Sequence, residues 1–265
     1  MNKVSFFSFI ENISKKAILK AGKLAKDYKK NISIRYKSKD QPVTNADIAI
    51  DDFLKSFFKS KTPSIGWVSE ETKDNESRFS SDLFWCLDPI DGTRSYINGK
   101  PEYTISLALI KRNKPIIGYI FNPETEEFFF AKENHGAFCN NKKIFVNNNN
   151  NIRSSKYGIS SSEIKKLEQY DFLEDQNILR IGSIAYKIAL VAKGEIDVAI
   201  SFTKKNDWDL AASDLILKEA GGKINKISGE KIIYNSSHMK IDSVIASNIN
   251  LMRKLNIKFS EVKNG

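Results

Sequence analysis

The residues best suited to chemistry stand in one hexapeptide, Asp88-Pro89-Ile90-Asp91-Gly92-Thr93, directly after the apolar run Leu83-Phe84-Trp85-Cys86-Leu87. A short, aromatic-rich run bounded by Pro and Gly reads as a buried strand, and Asp88 then stands where that strand ends. Pro89 fixes its own φ and removes a donor, while Gly92 permits a tight turn with close backbone approach. Two carboxylates around such a turn can converge, and converging anions repel unless a cation lies between them. Asp, Pro and Gly are also ordinary turn formers, so the hexapeptide alone reads equally as a turn or as a cation site.

Further acids stand at the ends of apolar elements. Ile65-Gly66-Trp67-Val68 reads as a second short strand and runs into Ser69-Glu70-Glu71. A solvated loop accounts for Glu71, but neighbouring strands ending at one edge would set Glu70 beside Asp88. Thr44 and Asp47 have the spacing of a capping box, and a carboxylate at a helix N-terminus can serve a nearby site as well as the helix. Asp209 opens another predicted helix, where the dipole favours a carboxylate, and Asp207 shares that explanation. Together Asp47, Glu70, Asp88, Asp91 and Asp209 offer only oxygen, a donor set that selects Mg²⁺ or a similar hard cation. Gly92 and Thr93 would present turn N–H groups to an anion such as phosphate. That pairing suits phosphate ester hydrolysis, in which cations neutralise phosphate oxygens, lower the pKa of a water and stabilise the leaving alkoxide. With His135 and His238 the only histidines, a His-based zinc site or a Ser-His-Asp triad is not expected.

The elements that must position these acids follow from periodicity. Apolar residues at helical spacing from Val4 to Tyr28 predict an amphipathic helix, and Ala46, Ile50, Phe53, Leu54, Phe57 and Phe58 predict a second, after a polar turn at Ser38–Pro42. Strands are expected at 103–110, 116–121, 127–131, 137–138 and 144–146, with Asn140-Asn141 as a hairpin turn, together an antiparallel meander. The run Asn147–Asn151 has neither period and reads as a linker. Beyond it, strands at 178–181, 196–200, 224, 232–233 and 243–246 alternate with helices at 185–192, 208–220 and from Asn248. Lys204 and Lys205 stand in a charged loop. The expected fold is therefore α/β: an α+β half at 1–150 carrying an antiparallel sheet and most metal ligands, and an α/β half at 151–265 completing the site.

Composition narrows the partners. The net charge of +10 favours anionic ligands, but the lysines are scattered and form no basic helix with interleaved aromatics, so nucleic acid is not an expected partner. Cys86 and Cys139 form no disulfide framework or metal pattern, which fits a reducing cytoplasm. No signal peptide or membrane span is expected either.

Asp88–Thr93, the upstream Ser69-Glu70-Glu71, Trp208-Asp209-Leu210-Ala211-Ala212 and Glu219-Ala220-Gly221-Gly222 together resemble the inositol monophosphatase superfamily, over nearly the whole chain and in family order. The resemblance implies a layered αβαβα fold, two or three Mg²⁺ ions and often a homodimer. It also implies that Glu70, Asp88, Asp91, Asp209 and the Ile90 carbonyl bind metal, with Glu70 also in the catalytic set. Asp47 and Thr93 would activate the attacking water, the Gly92 and Thr93 amides would hold phosphate, and Ser183 matches the substrate-side turn.

Members acting on inositol phosphates typically carry a glutamate several residues before the Trp-Asp pair. Here that position falls on or near Phe202, an aromatic that could face a base, while Lys204 and Lys205 could meet a second phosphate or simply be solvated. The segments Tyr103–Leu109 and Trp208–Ala212 are similar to the CysQ-type 3'(2'),5'-bisphosphate nucleotidase branch, which removes the 3'-phosphate of adenosine 3',5'-bisphosphate in sulfur metabolism. Thr93-Arg94-Ser95-Tyr96 departs from the Lys-Glu-Phe common there and is similar to histidinol-phosphate phosphatases as well. A small anionic phosphate ester is thus the expected substrate, the bisphosphorylated nucleotide first, inositol 1-phosphate or histidinol phosphate as alternatives. A non-catalytic phosphate-binding relative is the alternative of another class. It need not keep all five acids and Thr93, which are present.

Overall fold

The computed structural model describes residues 3–39, 41–74, 76–173 and 177–264. Helix α1 (Lys3–Tyr28) leads into an antiparallel ribbon of β1 (Ile34–Ser38) and β2 (Gln41–Thr44), and then into α2 (Asn45–Lys61). The ribbon is not among the expected elements: Ile34, Arg35, Tyr36 and Lys37 do alternate, but every residue of β1 is exposed, so the alternation marks no buried face. Asp40, within the expected polar turn, lies outside the described residues.

Seven strands follow one another across the larger sheet: β3 (Gly66–Ser69), β4 (Leu83–Asp91), β5 (Thr104–Lys111), β6 (Lys114–Asn122), β7 (Glu127–Lys132), β8 (Ala137–Cys139) and β9 (Lys142–Ile144). A short helix, α3 (Thr93–Ile97), leaves the end of β4. β3 and β4 run parallel, and all later neighbours are antiparallel, the expected meander. The β8–β9 turn has φ of 48° at Asn140 and 65° at Asn141, the left-handed pair that a two-residue hairpin favours.

The smaller sheet has the order β11-β10-β12-β16-β14, from β10 (Tyr157–Ile159), β11 (Ile178–Arg180), β12 (Val198–Ser201), β14 (Gly222–Lys226) and β16 (Val244–Asn248). Helices α4 (Ile184–Lys193) and α5 (Asp207–Glu219) precede β12 and β14, α6 (Ile249–Asn264) closes the chain, and β13 (Lys205–Asn206) pairs with β15 (Lys240–Ile241).

Three apolar layers hold five structural ones together. The first, between α1/α2 and the larger sheet, contains Ile18, Leu54, Phe58, Trp85, Leu87 and Tyr119. The second joins the opposite face of that sheet to α4, α5 and the inner face of the smaller sheet, through Phe84, Cys86, Ile120, Ile188, Leu215 and Val244. The third seats α6 on the outer face with Tyr157, Val198, Ile245, Leu255 and Phe259. Period-2 alternation along β4 sends Phe84 and Cys86 one way and Trp85 and Leu87 the other, so one strand feeds two cores. This is the expected αβαβα sandwich. At about 1.5–3 kcal/mol for each fully buried large aliphatic or aromatic side chain, the layers are the main force fixing strand ends in space. Gly118 lets α5 lie close on β6: a Cβ there would stand 2.6 Å from the Ala212 carbonyl.

Two expectations need correction. Ile232-Ile233 is not a strand: Ile233 is 67% exposed, and the pair lies in an irregular loop whose later residues, Asn235 to Ser237, are held by Arg78. The buried Arg78 guanidinium donates to Asn235 Oδ1 at 2.6 Å and to the carbonyls of Ser236 and Ser237. The Lys204-Lys205 loop is in part a strand, Lys205 pairing with Ile241. The asparagine run is a succession of side-chain-to-backbone turns: Asn147, Asn149 and Asn151 each accept the N–H two residues on, at 3.0 Å. Asn147 Nδ2 also donates to Asp197 Oδ1 at 2.6 Å. No helix among the described residues is long and apolar enough to cross a membrane.

Candidate active site

The site lies at the end of β4, where the ladder slips. Asp88 faces Ser106 and Asp91 faces Thr104, so three steps along β4 match two along β5. Such a bulge tolerates Pro89, which has no N–H to give, and re-aims the carboxylates that flank it. Asp88 Oδ1 accepts the Ile90 N–H at 3.0 Å, fixing its side chain over the turn. Gly92 then takes φ of +95°, and a Cβ there would stand 2.8 Å from the Glu102 carbonyl oxygen. Both conformation and space therefore require glycine.

Two helix N-termini bring in the other acids. Asp47 is the third residue of α2 and closes a capping box with Thr44, its Oδ2 accepting the Thr44 N–H at 2.8 Å and hydroxyl at 2.5 Å. Asp209 closes the equivalent box at α5, accepting the Asn206 N–H at 2.6 Å. In both cases one carboxylate oxygen serves the helix and leaves the other for the site. The capping and functional readings of these acids are thus compatible.

Asp88, Asp91 and Asp209 converge, each offering an oxygen within 4.8 Å of the others. Asp88 and Asp91 are buried, and Asp209 keeps an open edge. Burial pushes the Asp88 carboxyl well above the usual carboxylate range, and the charges of Glu70, Asp91, Asp209 and Asp47 push it further. Burial also raises Asp91, against the opposing hydrogen bonds of Ser183 and Ala185 and the charges of Lys205 and Lys187. Asp209 is raised to about 7 by burial, which Lys205 opposes and Asp91 and Glu70 reinforce. Asp47 rises to about 6, again by burial, with Thr44 opposing. Three crowded carboxylates that the surrounding protein discourages from ionising fit a divalent cation, and their all-oxygen chemistry fits Mg²⁺.

Around this cluster the structure distributes the other expected residues. The Thr93 hydroxyl lies between the Ile90 carbonyl at 3.0 Å and Asp47 Oδ1 at 3.4 Å. Glu70 extends the parallel pairing of β3 and β4, its N–H donating to the Leu87 carbonyl at 3.1 Å, and so sits beside Asp88 as expected. Its carboxylate is outside the converging triad and pairs with Lys37 Nζ at 3.0 Å, which also holds Glu71 at 2.6 Å. Ser183 is the N-cap of α4 and is turned inward: its hydroxyl donates to Asp91 Oδ2 and accepts the Tyr186 N–H at 2.9 Å. Ala185 N adds a bond to the same Asp91 oxygen at 2.6 Å. Lys205 is half-buried and electrostatically linked to Asp91 and Asp209, while Lys204 is exposed.

One substrate-side expectation is corrected. Phe202 does not offer its ring to a ligand, because it stacks on Tyr170 with centroids 5.4 Å apart and planes 7° from parallel, against the α6 core. Sequence reasoning also passed over Lys37, Glu163 and Lys187. Lys187 did leave a signal: it is a charge within Ile184–Ala192, a stretch buried at every position. Lys37 and Glu163 left none, since a lysine in a polar ribbon and a glutamate among lysines look solvated.

Comparison with known proteins agrees with this geometry. The model of the inositol monophosphatase family matches residues 8–263. An inositol-1-monophosphatase of Mesorhizobium japonicum is 27% identical over 94% of this chain and 95% of its own. The 3'(2'),5'-bisphosphate nucleotidase CysQ of Haemophilus influenzae is also 27% identical, over 81% of this chain and 83% of its own. Among solved structures, the extragenic suppressor protein SuhB of Bartonella henselae superposes with a TM-score of 0.82 at 26% identity, covering 95% of this chain and 98% of that one.

Proposed function

The chain belongs to the inositol monophosphatase family, whose members are metal-dependent phosphatases, and on that premise we propose a Mg²⁺-dependent phosphomonoesterase whose first substrate is adenosine 3',5'-bisphosphate. The observation that carries the reaction class is the convergence of Asp88, Asp91 and Asp209 beside the linked pair Asp47 and Thr93. Asp88, Asp91 and Asp209, with Glu70 and the Ile90 carbonyl, would hold the cations. When bound, these supply charge neutralisation at the phosphate oxygens and at the leaving alkoxide, and acidify a water.

The remaining work falls to the chain itself. Thr93 and Asp47 take the proton of the attacking water, the hydroxyl orienting it and the carboxylate receiving it through a bond already formed at 3.4 Å. The Gly92 and Thr93 amides hold the phosphate. Capping boxes fix both Asp47 and Asp209, so neither has to reorganise as charge develops.

The 3'-phosphate of a bisphosphate is favoured over inositol phosphate by two features of residues 201–205. No carboxylate from Ser201–Thr203 is available for sugar hydroxyls, and Lys205 stands within the field of the acidic cluster, where a second phosphate would find a cation. We place the enzyme in a reducing cytoplasm, which the free and buried thiols of Cys86 and Cys139 suit.

A phosphate-release panel with Mg²⁺ tests the reading. It compares adenosine 3',5'-bisphosphate, inositol 1-phosphate, histidinol phosphate and fructose 1,6-bisphosphate. The expected result is the highest kcat/KM for the first, by about tenfold or more, a difference of about 1.4 kcal/mol in transition-state binding. Preference for inositol 1-phosphate would overturn the substrate, and release from none would overturn the activity.

A further inference from the structure

Glu163 lies in the 3₁₀ segment Ser161–Gln169, far in sequence from every motif described above, and is 3% exposed. Its carboxylate is nonetheless turned to the strand end that leads into the site. Oε1 accepts the N–H of Phe202 at 2.7 Å and of Thr203 at 2.9 Å. Ser201 Oγ lies 3.1 and 3.3 Å from the two carboxylate oxygens. Contacts then continue outward: the Ser201 and Thr203 hydroxyls are 3.2 Å apart, and Lys205 Nζ donates to Thr203 Oγ1 at 2.8 Å. An unbroken path of bonds therefore joins a buried acid to the lysine whose charge reaches Asp91 and Asp209.

A buried carboxylate is costly unless it is bonded and balanced. The balance comes from Lys187, fully buried in α4, whose Nζ donates to Ser160 Oγ at 2.9 Å and whose charge faces Glu163. Such a pair is a poor way to gain stability, because an apolar isostere would cost less. It does specify one backbone conformation. Three donors from consecutive residues converge on one carboxylate only when Ser201–Thr203 holds a single path.

We propose that Glu163 is a positioning residue that clamps Ser201–Thr203 and thereby sets the reach of Lys205 toward the second phosphate of a bisphosphorylated substrate. The proposal rests on the bisphosphate reading of the site. Glu163 touches no reacting atom and acts through Thr203 and Lys205.

The experiment compares Glu163→Ala, Glu163→Gln, Lys205→Ala and the double variant Glu163→Ala/Lys205→Ala, with adenosine 3',5'-bisphosphate and adenosine 3'-monophosphate as substrates. Glu163→Ala is expected to raise KM for the bisphosphate about tenfold, with kcat and the monophosphate KM within about twofold of wild type. Glu163→Gln keeps an oxygen for both N–H groups and should restore most of the loss. In the Lys205→Ala background, Glu163→Ala should add nothing. Equal rises in KM for both substrates, or independent effects in the double variant, would overturn the positioning role.

Amide hydrogen exchange supplies a readout that does not need turnover. Residues 202–203 should exchange faster in Glu163→Ala while α5 stays protected, and unchanged exchange would overturn the clamp. If wild type hydrolyses no ester in the panel, the proposed function fails while this measurement still decides the clamp. Should Glu163→Ala not fold, Thr203→Val, which removes the hydroxyl joining Lys205 to the clamp, carries the kinetic test. It should raise KM for the bisphosphate and add nothing to Lys205→Ala, and an unchanged KM would overturn the positioning role.

Discussion

The floor of the site and its rim are built in opposite ways. On the floor, Asp47, Asp88, Asp91 and Asp209 are each fixed by backbone N–H groups, from Thr44, Ile90, Ala185 and Asn206. These donors sit at strand ends and helix starts that three cores hold in place. On the rim, Glu70 and Glu71 are held by the ammonium of Lys37 from the exposed β1 ribbon, and Lys205 by the hydroxyl of Thr203. Backbone bonds hold an acid whatever the neighbouring side chains do. Side-chain pairs at partly exposed positions contribute little, about 0–1 kcal/mol, and can exchange partners. In the proposed mechanism Glu70 works with the floor, so the part of the rim that can be altered for a new substrate without disturbing the common chemistry is the Lys205 side.

The largest test of the contrast is at the floor. Asp88→Asn keeps the oxygen that accepts the Ile90 N–H but removes a charge from the acidic cluster. Activity should drop at least about a hundredfold, several kcal/mol of lost charge stabilisation, with the fold retained. Steady-state kinetics with Mg²⁺ and circular dichroism check the two halves. Near wild-type activity, or activity undiminished by chelation, would remove the distinction between floor and rim.

A second prediction concerns pH and uses the raised carboxyls. A folded-state pKa above the unfolded value of about 4 means that the folded, metal-free chain holds its protons more tightly than the unfolded one. The stability these groups contribute is fully present below about pH 4 and is lost as pH rises through about 6 for Asp47 and about 7 for Asp209. Mg²⁺ replaces those protons, so its stabilising effect should grow across the same window. Scanning calorimetry should find a Tm shift on adding Mg²⁺ close to zero at pH 5 and several degrees at pH 7.5, on the order of 2–4 °C per kcal/mol for a chain of this size. A shift that does not depend on pH would mean the carboxyls are already ionised without metal.

The smallest effect belongs to the rim. Lys205→Ala should raise KM for adenosine 3',5'-bisphosphate about tenfold and leave the monophosphate nearly unchanged, while Lys204→Ala should change neither by more than about twofold. Equal effects of the two lysines would show that the rim acts only as diffuse positive charge.

How far the sequence could be read follows the same division. The capping box Thr44–Asp47, the helix start that carries Asp209, the Asp-Pro-Ile-Asp-Gly-Thr turn and the alternation of β4 are local devices, and they form as spacing requires. The loop around Ile232-Ile233 and the inward stacking of Phe202 escaped it, because each depends on a partner distant in sequence, Arg78 and Tyr170. The β1 ribbon pairs with its neighbour β2 and escaped it because its residues are all exposed.

By itself, then, the sequence determined which carboxylates stand at strand and helix ends, and hence the metal chemistry proposed for them, since those positions are set by hydrogen bonds spanning three or four residues. Only the tertiary structure decided that Asp88, Asp91 and Asp209 meet, that Lys205 and not Lys204 faces them, and that Glu163 holds the segment between. These arrangements join residues tens to more than a hundred positions apart, and burial between layers brings them together rather than any local preference.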